Sequence, residues 1–144
     1  GIDSIQPIIS KNSIFNQKKL DVEKKNSHWK NISISASEQS ERSYLPIIKK
    51  IISFQDYLEN NSSDQKIILD TRVNAMLSEV FNRKFKSCSL LVGPEGDFTS
   101  EEYEYAKELN FSSASLGGNI LRVETAVIAA FSYINILTNS DKYE

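Results

Sequence analysis

The sequence predicts an α/β fold, a mostly parallel sheet flanked by helices. Short apolar runs rich in Ile, Leu and Val alternate along the chain with longer segments of helical periodicity. In the last third, two strand–loop–helix units stand in tandem, and each of their loops bears glycine. A capping box, Thr99 with Glu102, announces one of the helices.

In chain order, Ser4–Ser10 is a short apolar run holding Pro7, which limits it to an edge strand. Lys11–Asn26 is polar and reads as an exposed loop. Ser27–Tyr44 is expected to be a helix with Trp29, Ile32, Ala36 and Gln39 on one face, ended by Pro46. Ile47–Asn61 is ambiguous, with Phe54, Tyr57 and Leu58 spaced for a short helical turn, and Asn60–Gln65 is a turn cluster. Lys66–Asp70 is a buried strand, followed by a short helix around Asn74–Phe81. Ser87–Val92 is a strand, with Cys88 expected to be buried in it. Gly93–Asp97 is a tight loop and Thr99–Leu109 a helix. Ser112–Leu116 is a strand, Gly117–Asn119 a loop and Arg122–Leu137 a helix. That last helix sets Val123, Ala126, Val127, Ala130, Phe131, Ile134 and Leu137 on one stripe.

At 144 residues the chain is the size of one ordinary domain and long enough for a single core. Hydrophobic residues at 40% and charged residues at 25% exclude bulk disorder. No apolar run reaches the roughly 18–20 residues that span a bilayer, and residues 1–11 carry no signal-peptide pattern. The lone Cys88 excludes an internal disulfide and fits a reducing, cytoplasmic setting. One His and one Cys argue against a structural zinc site, so no metal is expected. A start at Gly without Met reads as a piece of a longer protein.

The net charge of −2 hides an asymmetry. Residues 1–90 hold 14 Lys/Arg against 10 Asp/Glu, whereas residues 91–144 hold 3 against 9. Lys11, Lys18, Lys19, Lys24, Lys25 and Lys30 crowd one stretch, which reads equally as a phosphate-attracting patch or as a solvated, lysine-rich surface.

Ligands of open parallel sheets bind where strand ends run into helices, and both glycine-bearing loops hold that position. In Leu91–Phe98, Gly93 and Gly96 permit close backbone approach while Pro94 fixes a φ between them. The loop lacks the Gly-Lys-Ser/Thr ending of a phosphate loop and the spacing of a dinucleotide fingerprint. Taken alone, such a turn is more often an ordinary strand-to-helix connection. In Ser115–Ala126, Gly117 and Gly118 again allow close approach, and Ile120 and Leu121 suit the apolar floor of a base site. Arg122 and Glu124 stand at a helix start, where Glu suits the dipole and Arg does not. A misplaced cation there has either a local task or an acidic partner nearby.

In combination these segments are specific. Gly-Pro-Glu-Gly, followed about twenty residues later by Ser-Leu-Gly-x-x-Ile-Leu-Arg-x-Glu-Thr-Ala, resembles the signature of the 16S ribosomal RNA N3-uridine methyltransferases of the SPOUT superfamily. Upstream, Gly1–Pro7 with Ile9 and Ser10 is similar to that family's opening segment. Trp29, Lys30 and Ile32, then Glu38, Gln39, Ser40, Arg42 and Pro46, resemble its next helix and the segment after that helix. The resemblance covers nearly the whole chain.

It implies a deep trefoil knot in the C-terminal half, a homodimer, and S-adenosylmethionine bound bent in the knot by three strand-end loops. Those loops would be the ones after Ile67–Asp70 (with Leu69), after Leu91–Val92 and after Ser115–Leu116. The adenine would lie against Leu116, Gly117, Ile120 and Leu121, and the methionine or ribose part against Gly93, Pro94, Glu95 and Gly96, with Thr125 also in the cofactor site. Arg122 and Glu124 would be catalytic, Arg122 contacting the cofactor as well, and Gln39 and Arg42 would face RNA, although a solvated helix end explains those two equally well. His28 and Trp29 read as structural. The implied substrate is 16S rRNA or the small ribosomal subunit.

The chain departs from the family's pattern at Asp97, where a second glycine is usual, at Asn119, where a basic residue is usual, and at Asn12, where Arg is usual. The family also places a PUA-like RNA-binding domain before the segment matching Gly1, so 1–144 is expected to be the methyltransferase domain, N-terminally incomplete and poor at RNA recognition alone. The competing expectations are another SPOUT enzyme, such as a tRNA 2′-O-ribose methylase, and a non-catalytic knotted RNA-binding dimer. The Ile-Leu-Arg-x-Glu-Thr-Ala segment favours the uridine enzyme over the ribose methylases, whose ending is usually Asn-rich.

Overall fold

The computed structural model describes residues 2–14 and 22–139, which form two compact units, 1–57 and 58–144. Gly1, Lys18, Lys19 and the middle of the expected Lys11–Asn26 loop lie outside the described residues.

In the first unit, the expected edge strand forms as two short pieces, β1 (Ser4–Ile5) and β2 (Ile8–Ile9). The segment beyond the helix splits in the same way into β3 (Ile47–Ile48) and β4 (Ile52–Ser53). β1 pairs in parallel with β3, and β2 with β4. From Ile5↔Ile48 to Ile8↔Ile52 the second chain segment uses one more residue than the first, which is a bulge. Pro7 sits at this interruption, having no N–H to give a ladder. The Gln6 side chain compensates, its Nε2 donating to the carbonyls of Lys50 and Pro7.

Helix α1 runs over Val22–Gln39, earlier at both ends than its periodicity suggests. Residues 22–26, expected as loop, are helical because Glu and Lys are good helix formers that tolerate a solvated face. The helix ends well before Pro46 through a Schellman closure: Glu41 adopts φ 51°, Glu41 N–H donates to Glu38 O (3.2 Å) and Arg42 N–H to Ser37 O (3.0 Å). The usual glycine signal is missing, so the stop is hidden in the sequence. Of the expected apolar face, Trp29, Ile32 and Ala36 line a cavity of about 500 Å³ with Ile2, Ile5 and Ile48, so they face open space instead of a packed core. Gln39 is exposed and outside that lining.

α2 (Phe54–Asn60) resolves the ambiguous segment as a helix and carries buried Phe54 and Leu58. The second unit is built on a parallel sheet of β5 (Gln65–Leu69), β6 (Cys88–Leu91) and β7 (Ser112–Ala114), in the order β6-β5-β7. Ile67 and Ile68 in the central strand are both 0% exposed although they point to opposite faces, so the sheet is covered on both sides. On the Ile67 face, Leu77 of α3 (Leu77–Val80) and Ala130 of α5 (Val123–Asn139) close the core, with Tyr133 and Ile134 packed around it. Every residue of the apolar stripe expected on α5 is at least half-buried. Burial of each isoleucine in β5 contributes about 1.5–3 kcal/mol.

α4 (Ser100–Glu108) begins as expected: the Thr99 hydroxyl accepts Glu102 N–H at 3.3 Å and the Glu102 carboxylate accepts Thr99 N–H at 2.9 Å. It ends in a second Schellman closure, with Asn110 at φ 65° and Phe111 N–H on Ala106 O at 2.9 Å. Cys88 corrects its expectation: it is exposed, because β6 is an outer strand and this residue is at its beginning. No helix among the described residues is long and apolar enough to cross a membrane.

Candidate functional site

Because β5, β6 and β7 are parallel and adjacent, their carboxyl ends open on one edge of the sheet. The pairings Ile68↔Leu91 and Leu69↔Ala114 put the ends of all three strands level. The three loops that leave them start at Asp70, Val92 and Ser115. Leu69 ends β5, Gly93, Pro94, Glu95 and Gly96 lie in the loop after β6, and Leu116, Gly117, Ile120, Leu121 and Arg122 lie in the segment that leads from β7 to α5. Glu124 and Thr125 come next, in the first turn of α5. Gln39 and Arg42 belong to the first unit.

The first glycine loop is a tight turn, closed by Asp97 N–H on Pro94 O at 2.8 Å. Its left-handed residue is Asp97 at φ 59° and not one of the glycines. Gly93 sits in tight quarters: a Cβ there would meet Asp97 Oδ1 at 3.1 Å and the Phe98 ring at 3.3 Å. Asp97 Oδ1 also accepts Phe98 N–H at 2.8 Å and the Tyr103 hydroxyl at 2.6 Å. Glu95 and Gly96, at the turn's tip, are exposed.

The second glycine loop is different in kind. Gly117 has φ 119°, outside the range of ordinary side chains, and a Cβ on either Gly117 or Gly118 would meet nothing within 4 Å. These glycines face open space, so a flat ligand can lie directly on their backbone. The Ser115 hydroxyl fixes the turn, accepting Gly117 N–H at 3.1 Å and lying 3.2 Å from Gly117 O. Ser115 is itself held by the segment leading into α3: its N–H donates to Ala75 O and its carbonyl accepts Leu77 N–H, both at 2.8 Å. The end of the loop after β5 is thus tied to the start of the loop after β7.

Leu116 packs against the core, whereas Ile120 is 86% exposed. Arg122 accepts Ala126 N–H on its carbonyl at 2.8 Å, which makes it the residue that opens α5. Arg122, Glu124 and Thr125 are all exposed. Among the described residues neither Arg122 nor Glu124 takes part in an ion pair, so the acidic partner considered for Arg122 is not found there. Arg42, in contrast, is engaged locally: its Nη2 donates to Ile2 O at 3.1 Å and its guanidinium lies 4.6 Å from the Tyr44 ring centroid.

Reasoning from sequence missed a polar cluster beneath the first glycine loop. Asp70, 5% exposed, is gripped by Arg72 through Nε (2.9 Å) and Nη2 (3.1 Å), and accepts Arg72 N–H at 2.9 Å. The Arg72 guanidinium lies 3.8 Å from the Tyr103 ring centroid. Burial, then the bond to Asp97, pushes the Tyr103 hydroxyl above the usual tyrosine range. The Asp-x-Arg spacing was visible, but nothing local tied it to Tyr103, some thirty residues on. Among the described residues no group of three or more His, Cys, Asp or Glu is arranged to hold a metal.

Comparison with known proteins gives the chain a family. The RNA methyltransferase domain family matches residues 1–135. The ribosomal RNA small subunit methyltransferase E of Aquifex aeolicus is 37% identical over 139 residues, covering 96% of this chain and 58% of that protein. A Legionella pneumophila protein described as a methyltransferase, solved with bound S-adenosylmethionine, superposes with a TM-score of 0.90 at 28% identity, covering 95% of this chain and 56% of its own. The Neisseria gonorrhoeae ribosomal RNA small subunit methyltransferase E, solved with the same cofactor, gives 0.84 at 33% identity, with 95% and 56% covered. The chain thus spans little more than half the length of these relatives. Matched along nearly its whole length, the chain belongs to the RNA methyltransferase domain family.

Proposed function

We propose that this chain is the cofactor-binding and catalytic part of an S-adenosylmethionine-dependent methyltransferase that modifies N3 of a uridine in 16S ribosomal RNA. The observation that carries the reading is the open backbone at Gly117 and Gly118, on the same sheet edge as the Gly93–Asp97 turn. A flat adenine fits that surface, with Leu116, Ile120 and Leu121 as apolar neighbours. The loops carrying Leu69 and Gly93–Gly96 then take the ribose and methionine parts, and Thr125 extends the site at the helix start. The relatives solved with S-adenosylmethionine support the choice of cofactor, and the relatives' names support ribosomal RNA.

The bound sulfonium supplies an activated methyl group. The protein's remaining tasks are to place uridine N3 in line with it and to help N3 lose its proton. Arg122, a cation on an exposed helix start, is the group we assign to the uridine carbonyl oxygens, where it stabilises the developing anion. Glu124, two residues on, is the carboxylate we assign to accept the proton. The target base has to be presented unpaired. Gln39 and Arg42 are assigned to the RNA side, although the Arg42 guanidinium also serves its own unit.

The same reading includes the trefoil knot and a homodimer. Ile128 and Ile136, 66% and 67% exposed on α5, are the apolar side chains we assign to contact with a second copy of the chain. Mass spectrometry of small-subunit RNA from cells lacking the full gene tests the function. One N3-methyluridine disappears and returns on re-expression; an unchanged modification pattern refutes the assignment.

A further inference from the structure

The cluster beneath the first glycine loop joins groups that are far apart in the chain. Asp70 leaves the end of β5, Tyr103 stands in α4, and Asp97 closes the turn after β6. Arg72 forks onto both Asp70 oxygens, at 2.9 and 3.1 Å, and covers the face of the Tyr103 ring at 3.8 Å. Its Nη1 also reaches Ser100 Oγ at 3.4 Å, the first residue of α4. The far end of the ring carries the hydroxyl, whose single proton goes to Asp97 Oδ1 at 2.6 Å in preference to Leu69 O at 3.2 Å. That same Oδ1 caps Phe98 N–H and lies against Gly93, where a Cβ would meet it at 3.1 Å. Phe98 stacks edge-on to Tyr103, ring centroids 5.6 Å apart. Asp97 holds a left-handed φ of 59°, a conformation that an L-residue keeps only when its surroundings hold it there.

We propose that Asp70, Arg72, Tyr103 and Asp97 form a latch that ties the loop after β5 to the Gly93–Asp97 turn and sets that turn in its cofactor-binding shape. They are positioning residues: none needs to touch the cofactor, and their effect passes through the backbone of Gly93–Asp97. The inference rests on the assignment of that turn to S-adenosylmethionine.

The test is a double-mutant cycle in S-adenosylmethionine affinity, measured calorimetrically on this chain well below its melting temperature. Tyr103→Phe keeps the ring under Arg72 and removes only the hydroxyl. Asp97→Gly removes the acceptor and suits the left-handed φ. Each should weaken binding about tenfold, the scale of one charge-assisted hydrogen bond. The double variant should be no weaker than the worse single variant, since both break the same link. Asp97→Asn, which keeps an acceptor oxygen and tolerates positive φ, should recover most of the affinity. A purely structural role would lower the variants' melting temperatures without this coupling in affinity. Wild-type affinity in Tyr103→Phe, or losses that multiply in the double variant, overturn the latch while leaving the cofactor assignment standing. Failure of the wild-type chain to bind S-adenosylmethionine overturns both.

Discussion

Gly117 and Gly118 are adjacent, yet the structure asks different things of them, and substituting each by alanine separates conformational need from ligand approach. At Gly117 the φ of 119° lies outside the L-residue wells, and an added Cβ meets no atom within 4 Å. The penalty of Gly117→Ala is therefore backbone strain without steric clash, about 1–3 kcal/mol. Reduced freedom of the unfolded chain returns about 0.4–1 kcal/mol. The net loss is about 1–2 kcal/mol, a fall in melting temperature of roughly 3–8 °C for a chain of this size. At Gly118 there is neither a left-handed φ nor a neighbour within 4 Å, so Gly118→Ala should leave stability within about 0.5 kcal/mol of wild type. If the open face receives the adenine, that methyl group nonetheless occupies ligand space, and S-adenosylmethionine affinity should drop severalfold. Thermal unfolding by circular dichroism and calorimetric titration read the two quantities on the same samples. A Gly117→Ala protein as stable as wild type refutes the conformational requirement. A Gly118→Ala protein that binds the cofactor undiminished refutes close approach at this loop.

The same geometry makes further outcomes testable. Thr99→Ala removes the hydroxyl that accepts Glu102 N–H and should cost about 1 kcal/mol in urea unfolding; an unchanged midpoint would mean the capping box contributes nothing. Ile67→Ala, at a side chain 0% exposed between α3 and α5, should cost about 2–5 kcal/mol, and a smaller loss would show that the core collapses around the cavity. Tyr103 faces Asp97, Asp70 and Arg72, and its raised pKa keeps it protonated in the fold after the unfolded chain would ionise. Its contribution is complete below about pH 10 and is lost as pH rises above that, by up to about 1.4 kcal/mol per pH unit. Wild type should therefore lose stability more steeply than Tyr103→Phe between about pH 9 and 11, and parallel slopes would contradict the raised value. If the proposed homodimer forms through α5, the wild-type chain sediments as a dimer and Ile128→Glu as a monomer; a wild-type monomer would refute the dimer, and a dimer persisting in the variant would refute this interface.

The features legible in the sequence were local and periodic. The stripe on α5, the capping box of α4 and the buried strand β5 each declare themselves within a few turns, so their positions held. The ends of α1 and α4 rest on Glu41 and Asn110 in left-handed conformations, and Glu in particular carries no such signal. The stretch 22–26 was polar enough to resemble loop, although solvated helix has the same composition. In the site, the two glycine loops were legible because glycine and proline mark backbone need directly. That Gly93 sits tightly against Asp97 and Phe98, while Gly117 and Gly118 face open space, was not legible. Neither was the pairing of Asp70–Arg72 with Tyr103, which depends on how α4 returns to the sheet.

Hydrogen exchange with and without S-adenosylmethionine tests the central assignment most directly, because it reports where the cofactor sits as well as whether it binds. Amides of Gly93–Phe98 and Leu116–Arg122 should slow on saturation, together with those just after Leu69, while the exposed helix start at Val22–Lys25 stays unchanged. Saturable binding that leaves both glycine loops exchanging at their free rates would contradict the account.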